Sequence, residues 1–223
     1  MKNKAAFIGY IGFSVVYLLI ILFGQEDIAW YLKPFLLPFL LNLVYTFENF
    51  PTKKILLIAL TFSWIGDIIL MFADKGQMYF IFGLVAFLIS HIVYIILFNK
   101  QPQTEINKNK TVLWLGIGVI MLYLSVMITL LLPSLGDLKT PVIIYALVIS
   151  SMLLFAFKGS LHWMKPANIS ILLGAIIFVS SDTILAINKF YVNLPLAGFW
   201  IMITYLIAQL SITSGILHLN QKK

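Results

Sequence analysis

The sequence predicts an all-α fold: a polytopic membrane helix bundle of about eight transmembrane helices. Three observations predict it. The 223 residues are 61% hydrophobic and only 10% charged, with a mean hydropathy of +1.02, more apolar side chain than a soluble domain can cover with polar surface. The apolar residues gather into runs close to the roughly 20 needed to cross a hydrocarbon core about 30 Å thick. The polar residues gather into short segments between the runs. That leaves no room for a separate soluble domain, and residues 1–223 are expected to form a single transmembrane domain.

The runs fall at residues 5–23, 30–47, 54–72, 78–98, 112–132, 141–157, 168–187 and 196–217. The first follows Lys2 and Lys4 and is succeeded by Gly24-Gln25-Glu26-Asp27, with no small-x-small cleavage pattern, so it is expected to be an uncleaved span. The second opens at Trp30 and Tyr31, with Lys33 just inside it and Pro34 in its first turn, where proline is tolerated. Glu48-Asn49-Phe50-Pro51 punctuates the chain before the third run. The longest loop, residues 99–111, is polar and separates two groups of four spans. Pro133 and Pro141 bracket the fifth loop, and residues 188–195 form the seventh.

Cysteine is absent, which excludes disulfides, thiolate nucleophiles and Cys-ligated metals. The net charge of +7 comes from lysines at span ends rather than in a patch, which speaks for lipid headgroups and against nucleic acid as the partner. Lys2, Lys4, Lys53, Lys54, Lys100, Lys108, Lys110, Lys158, Lys165, Lys222 and Lys223 fall on one side of the predicted topology. Only Lys75, Lys139 and Lys189 fall on the other. Both termini are therefore expected in the cytoplasm. The lysine-only basic set and short loops point to the inner membrane of a bacterium. Asp67-Ile68-Ile69-Leu70 recurs as Asp182-Thr183-Ile184-Leu185, and Gly83 stands at the same offset from Gly198. With four spans per half, this suggests a 4+4 parallel repeat, with chance similarity between apolar segments as the alternative.

Asp67 and Asp182 stand apart from the other charges. Each lies inside an apolar run, where an ionised carboxylate costs at least about 2.5–3.5 kcal/mol on insertion scales. Such acids face a bundle interior or a wet cavity; the bland alternative is a protonated carboxyl tying two helices. Asp67 precedes Ala73 by six residues and Asp182 precedes Asn188 by six. At 1.5 Å per residue both lie roughly 9 Å below the outer boundary, a layout that suits two acids sharing a pocket. Lys33 enters from that same side, either snorkelling to headgroups or reaching toward the acids or a phosphate. Ser63, four residues before Asp67, shares its helical face, and Ser181 adjoins Asp182. Tyr17 and Tyr145 lie at the outer level, His91 and Tyr94 deeper on one face of span four, and Asn42, Tyr205 and Gln209 at mid-span or below. Singly, each is a common helix–helix hydrogen-bonding residue; together they describe a polar-floored cavity. With three histidines only, and His162 and His218 far along the chain from His91, the sequence argues against a zinc site, and no metal or cofactor is expected. No P-loop, nucleophile elbow or HExxH motif is present.

These residues also carry a resemblance. Lys33-Pro34, Ser63-Trp64-Ile65-Gly66-Asp67-Ile68-Ile69-Leu70-Met71, and Gly83-Leu84 with Phe87, His91 and Tyr94 form its first half. Tyr145 with Ser150-Ser151-Met152, Gly174-Ala175 with Phe178 and Ser181-Asp182, and Thr204-Tyr205-Leu206-Ile207-Ala208-Gln209 form its second. In order and placement they resemble the YhhN-type lysoplasmalogenase family of integral membrane hydrolases, over nearly the whole length. The resemblance implies eight spans, hydrolysis of the vinyl-ether bond of lysoplasmalogens, and catalytic roles for Asp67 and Asp182. A lysophospholipid substrate and membrane lipids would be the partners, with Lys33 free to hold a phosphate. Two other readings compete: a proton-coupled or lipid transporter using the acids as a relay, and a noncatalytic lipid-binding scaffold.

Overall fold

The computed structural model describes residues 2–103 and 110–221. The middle of the long polar loop with Lys108, and the terminal Lys222 and Lys223, lie outside the described residues. Among the described residues all regular structure is helical: α1 (Lys2–Leu22), α2 (Glu26–Leu32), α3 (Leu36–Thr46), α4 (Lys53–Leu70), α5 (Gln77–Asn99), α6 (Lys110–Leu131), α7 (Lys139–Ser160), α8 (Ala167–Phe190) and α9 (Ala197–Leu219). Helices α2 and α3, joined by a 3-10 turn at Lys33–Phe35, make one span, Glu26–Thr46. Among the described residues, seven segments are long and apolar enough to cross a membrane. The eighth, α4, carries Lys53, Lys54 and Asp67 within its 18 residues. The protein is a multi-pass membrane protein.

The second span departs from expectation. It begins at Glu26 rather than near residue 30, because Glu26 and Asp27 occupy a helix first turn, where the macrodipole favours acids. Lys33 therefore lies at an internal break, about 10 Å along the span at 1.5 Å per residue. Two prolines cause the break. Pro34 cannot donate to the carbonyl of Trp30, and Pro38 cannot donate to the carbonyl of Pro34. The Pro34 carbonyl is instead taken by the indole N–H of Trp64 on α4, at 2.7 Å.

The chain divides into two compact units, Met1–Tyr94 and Ile95–Lys223. Within the first, α1 packs on α3 and α3 on α4. Leu56, Ala59, Leu60, Ser63, Gly66 and Asp67 form the buried stripe of α4, at helical spacing. Small residues bring α5 close to it. A Cβ at Gly66 would meet the Phe87 ring at 2.6 Å, and one at Gly83 would meet Leu70 at 2.5 Å. The Ser90 hydroxyl donates to the Ala59 carbonyl at 2.8 Å, so the Ser63 hydroxyl, 2.8 Å away, donates to Ser90.

Within the second unit, α8 and α9 pack along their length, α7 lies against α8, and α6 touches both α7 and α8. Gly174 is pressed against α9: a Cβ there would stand 2.9 Å from the backbone nitrogen of Ile212. Trp114, Leu115, Val119, Met121, Leu122 and Val126 of α6 are exposed, as a lipid-facing helix requires.

The offset that carries Asp67 onto Asp182 carries Leu56, Ala59, Leu60, Ser63 and Gly66 onto Ile171, Gly174, Ala175, Phe178 and Ser181, all buried. It also carries Ser90, His91, Tyr94 and Leu97 of α5 onto Tyr205, Leu206, Gln209 and Ile212 of α9, again all buried. Even the contact recurs: Ser63 bonds Ser90 in one hairpin, and the Phe178 ring meets Tyr205 edge-on at 5.5 Å in the other. The Gly83 and Gly198 match does not extend to packing, since a Cβ at Gly198 would meet nothing within 4 Å.

Candidate functional site

Each acid is built within its own unit. Asp67 ends the buried stripe of α4 and is 5% exposed. Helix α1 is lipid-exposed except along Ala6, Tyr10, Ser14 and Tyr17, which recur every three to four residues and are buried. The phenols of Tyr10 and Tyr17 lie close enough to Asp67 to feel its charge, and Tyr94 of α5 interacts with Tyr10 in turn. An acid on α4 thus lies near the face of α1 that carries Tyr10 and Tyr17. Tyr10 is absent from the sequence-predicted set. Its signal was available: the only polar groups near the middle of α1 share one face.

In the second unit, the Tyr145 hydroxyl on α7 donates a hydrogen bond to Oδ2 of Asp182. The next residue, Thr183, donates to the Val179 carbonyl at 2.7 Å. Its Oγ1 therefore accepts from the Tyr123 hydroxyl of α6, 2.6 Å away. Three helices thereby bring a carboxylate, two phenols and a threonine hydroxyl together at the half-buried position of Asp182. The arrangement directs an O–H donor at the Asp182 carboxyl, fixing its orientation. Tyr123 and Thr183 are also missing from the sequence-predicted set; a lone mid-helix tyrosine gives no partner away.

The other predicted residues divide. His91 and Tyr94 are fully buried in α5, with His91 stacked loosely on Phe87 at 6.5 Å between ring centres. Ser63 and Ser181 serve as ties between helices, Ser181 donating to the Ile201 carbonyl of α9 at 2.9 Å. On α9 the Gln209 amide donates to the Tyr205 hydroxyl at 3.3 Å, both residues being buried. Asn42 is not part of any buried lining: α3 buries Leu36, Leu37, Leu40, Leu43 and Val44, and residue 42 falls on the opposite, exposed side. Lys33 is half-buried at the break between α2 and α3. Among the described residues no three His, Cys, Asp or Glu side chains cluster as metal ligands would.

Fold and site together define a multi-pass helical membrane protein that holds a carboxyl on an apolar span in each of its two units. The family model described as the YhhN family matches residues 28–216. The chain belongs to the YhhN family. It is 32% identical over 168 residues to human lysoplasmalogenase TMEM86A, covering 72% of this chain and 64% of that protein. The Bos taurus TMEM86A lysoplasmalogenase is 31% identical over 170 residues, 73% of this chain and 65% of its own length. Human lysoplasmalogenase TMEM86B is 32% identical over 164 residues, 70% and 60%. The chain thus spans slightly less than two thirds of these relatives. No solved structure matches.

Proposed function

We propose that this protein hydrolyses the vinyl-ether bond of lysoplasmalogens, releasing a fatty aldehyde and glycerophosphoethanolamine or glycerophosphocholine. The observation that carries the reading is the Tyr145–Asp182 hydrogen bond inside an apolar span of a chain whose relatives are named lysoplasmalogenases. Vinyl ethers resist bases and nucleophiles and yield to protonation at the carbon β to oxygen, which leaves an oxocarbenium ion. Water adds to that cation, loses a proton, and the hemiacetal collapses to aldehyde and alcohol. The reaction consumes one water and needs an acid, a base and negative charge near the cation.

In this reading Asp182, already accepting the Tyr145 hydrogen bond, is the carboxylate that faces the oxocarbenium ion and takes the proton from water. Asp67 is the catalytic carboxyl of the first unit, and Lys33, held at the proline break, is a point charge suited to a phosphate. Both termini are proposed to lie in the cytoplasm, in a bacterial inner membrane.

Purified protein given a lysoplasmalogen should release aldehyde, and Asp67→Asn or Asp182→Asn should each lower that release by at least about 10²-fold, the usual worth of a general acid or base. Folding is checked by thermal unfolding in detergent. Full activity in either variant would refute the assigned role. Proton flux in liposomes without any product would instead assign the acids to transport.

A further inference from the structure

Helices α6, α7 and α8 of the second unit enclose a groove of about 670 Å³ that is open on its lipid side. Its walls are almost entirely hydrocarbon, with Ile120, Leu153, Leu172 and Ile176 among them. Its two ends differ. At one end stand Tyr123 and Thr183, hydroxyl to hydroxyl at 2.6 Å, and Thr183 adjoins Asp182 in the chain. At the other, the Phe157 ring closes the groove by packing over Gly116, where an added Cβ would lie 2.1 Å from the ring. From Leu172 to Thr183 the groove follows α8 for roughly 16 Å at 1.5 Å per residue.

We propose that this groove holds the single hydrocarbon chain of the lysolipid, its ether end at Tyr123 and Thr183 and its methyl end toward Phe157. The proposal rests on the reading of Asp182 given above and names how that site selects its substrate. The volume falls within the roughly 300–1,000 Å³ of small-molecule sites. The polarity runs one way, hydroxyls at the acid end and hydrocarbon beyond. Thr183 precedes the end of α8 at Phe190 by about 10 Å of helix. A bilayer lipid lying against the protein has only methylenes at that depth, and nothing to which the Tyr123 hydroxyl could turn its hydrogen from Thr183. A substrate drawn in by its headgroup brings an ether oxygen there. The groove then acts as a ruler for chain length, set by Phe157 at its closed end and narrowed or widened by Ile176.

The test uses Ile176→Trp, at a position 43% exposed and facing lipid, and Phe157→Ala, which opens the closed end. Native mass spectrometry of the purified protein in detergent measures retention of 1-O-alkyl lysophosphoethanolamines with octyl, dodecyl and hexadecyl chains. These lack the vinyl double bond and are not turned over. Aldehyde release is measured in parallel from the corresponding alkenyl lipids. The wild type should retain dodecyl, the longest of the three chains that lies extended within the groove, best; Ile176→Trp should lose about tenfold in dodecyl retention while keeping octyl, and Phe157→Ala should shift the preference toward hexadecyl. The same chain-length dependence in all three proteins overturns the groove, whether or not aldehyde is released. Shifted retention without aldehyde from the wild type leaves the groove standing and removes the hydrolase reading. If Ile176→Trp does not fold, Phe157→Ala alone decides.

Discussion

Replacing Trp64 by phenylalanine removes the one N–H that reaches the Pro34 carbonyl from α4, at 2.7 Å. In a continuous helix that carbonyl would bond to the amide of residue 38, but residue 38 is proline and has none. Interhelical hydrogen bonds in membranes are worth about 0.6 kcal/mol on average and about 1.7 at most, because groups released in the unfolded protein find other partners. Here residue 38 offers no amide in its place, and a buried acceptor left unmet costs about 1–3 kcal/mol, less for this half-buried one. Trp64→Phe is expected to cost about 1–2 kcal/mol, part of it lost packing. The two contributions separate in the background of Pro38→Ala, where an amide returns to position 38. The packing loss is common to both backgrounds and cancels in the cycle. Trp64→Phe should then cost about 1 kcal/mol less, measured by denaturant titration in mixed micelles. An equal cost in both backgrounds would refute the assignment of Trp64 as the replacement donor at the break.

Tyr145→Phe keeps the ring and removes the hydrogen bond to Asp182; a bond to a charged group is worth about 1.5–3 kcal/mol, so aldehyde release should fall by about 10–100-fold, read as kcat/KM. Gly174→Ala should destabilise the protein by about 1–3 kcal/mol, because its Cβ would meet the backbone of Ile212, which cannot swing aside. Gly198→Ala meets nothing and should be neutral or stabilise α9 by up to about 1 kcal/mol through helix propensity; thermal unfolding of the pair checks both.

Span placement was legible because hydropathy and helix length are set by the same bilayer. Runs read at 54–72, 78–98 and 112–132 correspond to α4, α5 and α6 within about two residues. The errors fell where polar residues belong to helix ends. Glu26 and Asp27 look like loop and begin α2; Asn188 and Lys189 look like loop and belong to the last turn of α8, where a lysine complements the dipole. Those shifts also alter the depth argument, since Asp67 stands three residues from the end of α4 and Asp182 eight from the end of α8. The two acids could be found from one sequence because a carboxyl in hydrocarbon is conspicuous. Their neighbours were harder. Tyr145 could be placed by level, but Tyr10 needed the buried face of α1, and the bond from Tyr123 to Thr183 depends on how α6 meets α8. Asn42, on the exposed side of α3, shows a related point: being mid-span says nothing about which side of the helix a residue takes.

Helix α4 has a consequence for how the chain enters the membrane. It carries two lysines and an aspartate within 18 residues, together with the tryptophan that mends the broken second span and the serine that binds α5. An aspartate opposes insertion by up to about 2.5–3.5 kcal/mol at a helix centre and by less toward its end, so Asp67, three residues from the end of α4, is a cost that the helix's packing partners help to offset. Its partners lie on either side of it in the chain: α3 is made before it and α5 after. During synthesis the segment is best received by a membrane that already contains the second span, and secured only once α5 has followed. A residue poorly suited to hydrocarbon thus travels on a helix that packs against the spans made just before and just after it.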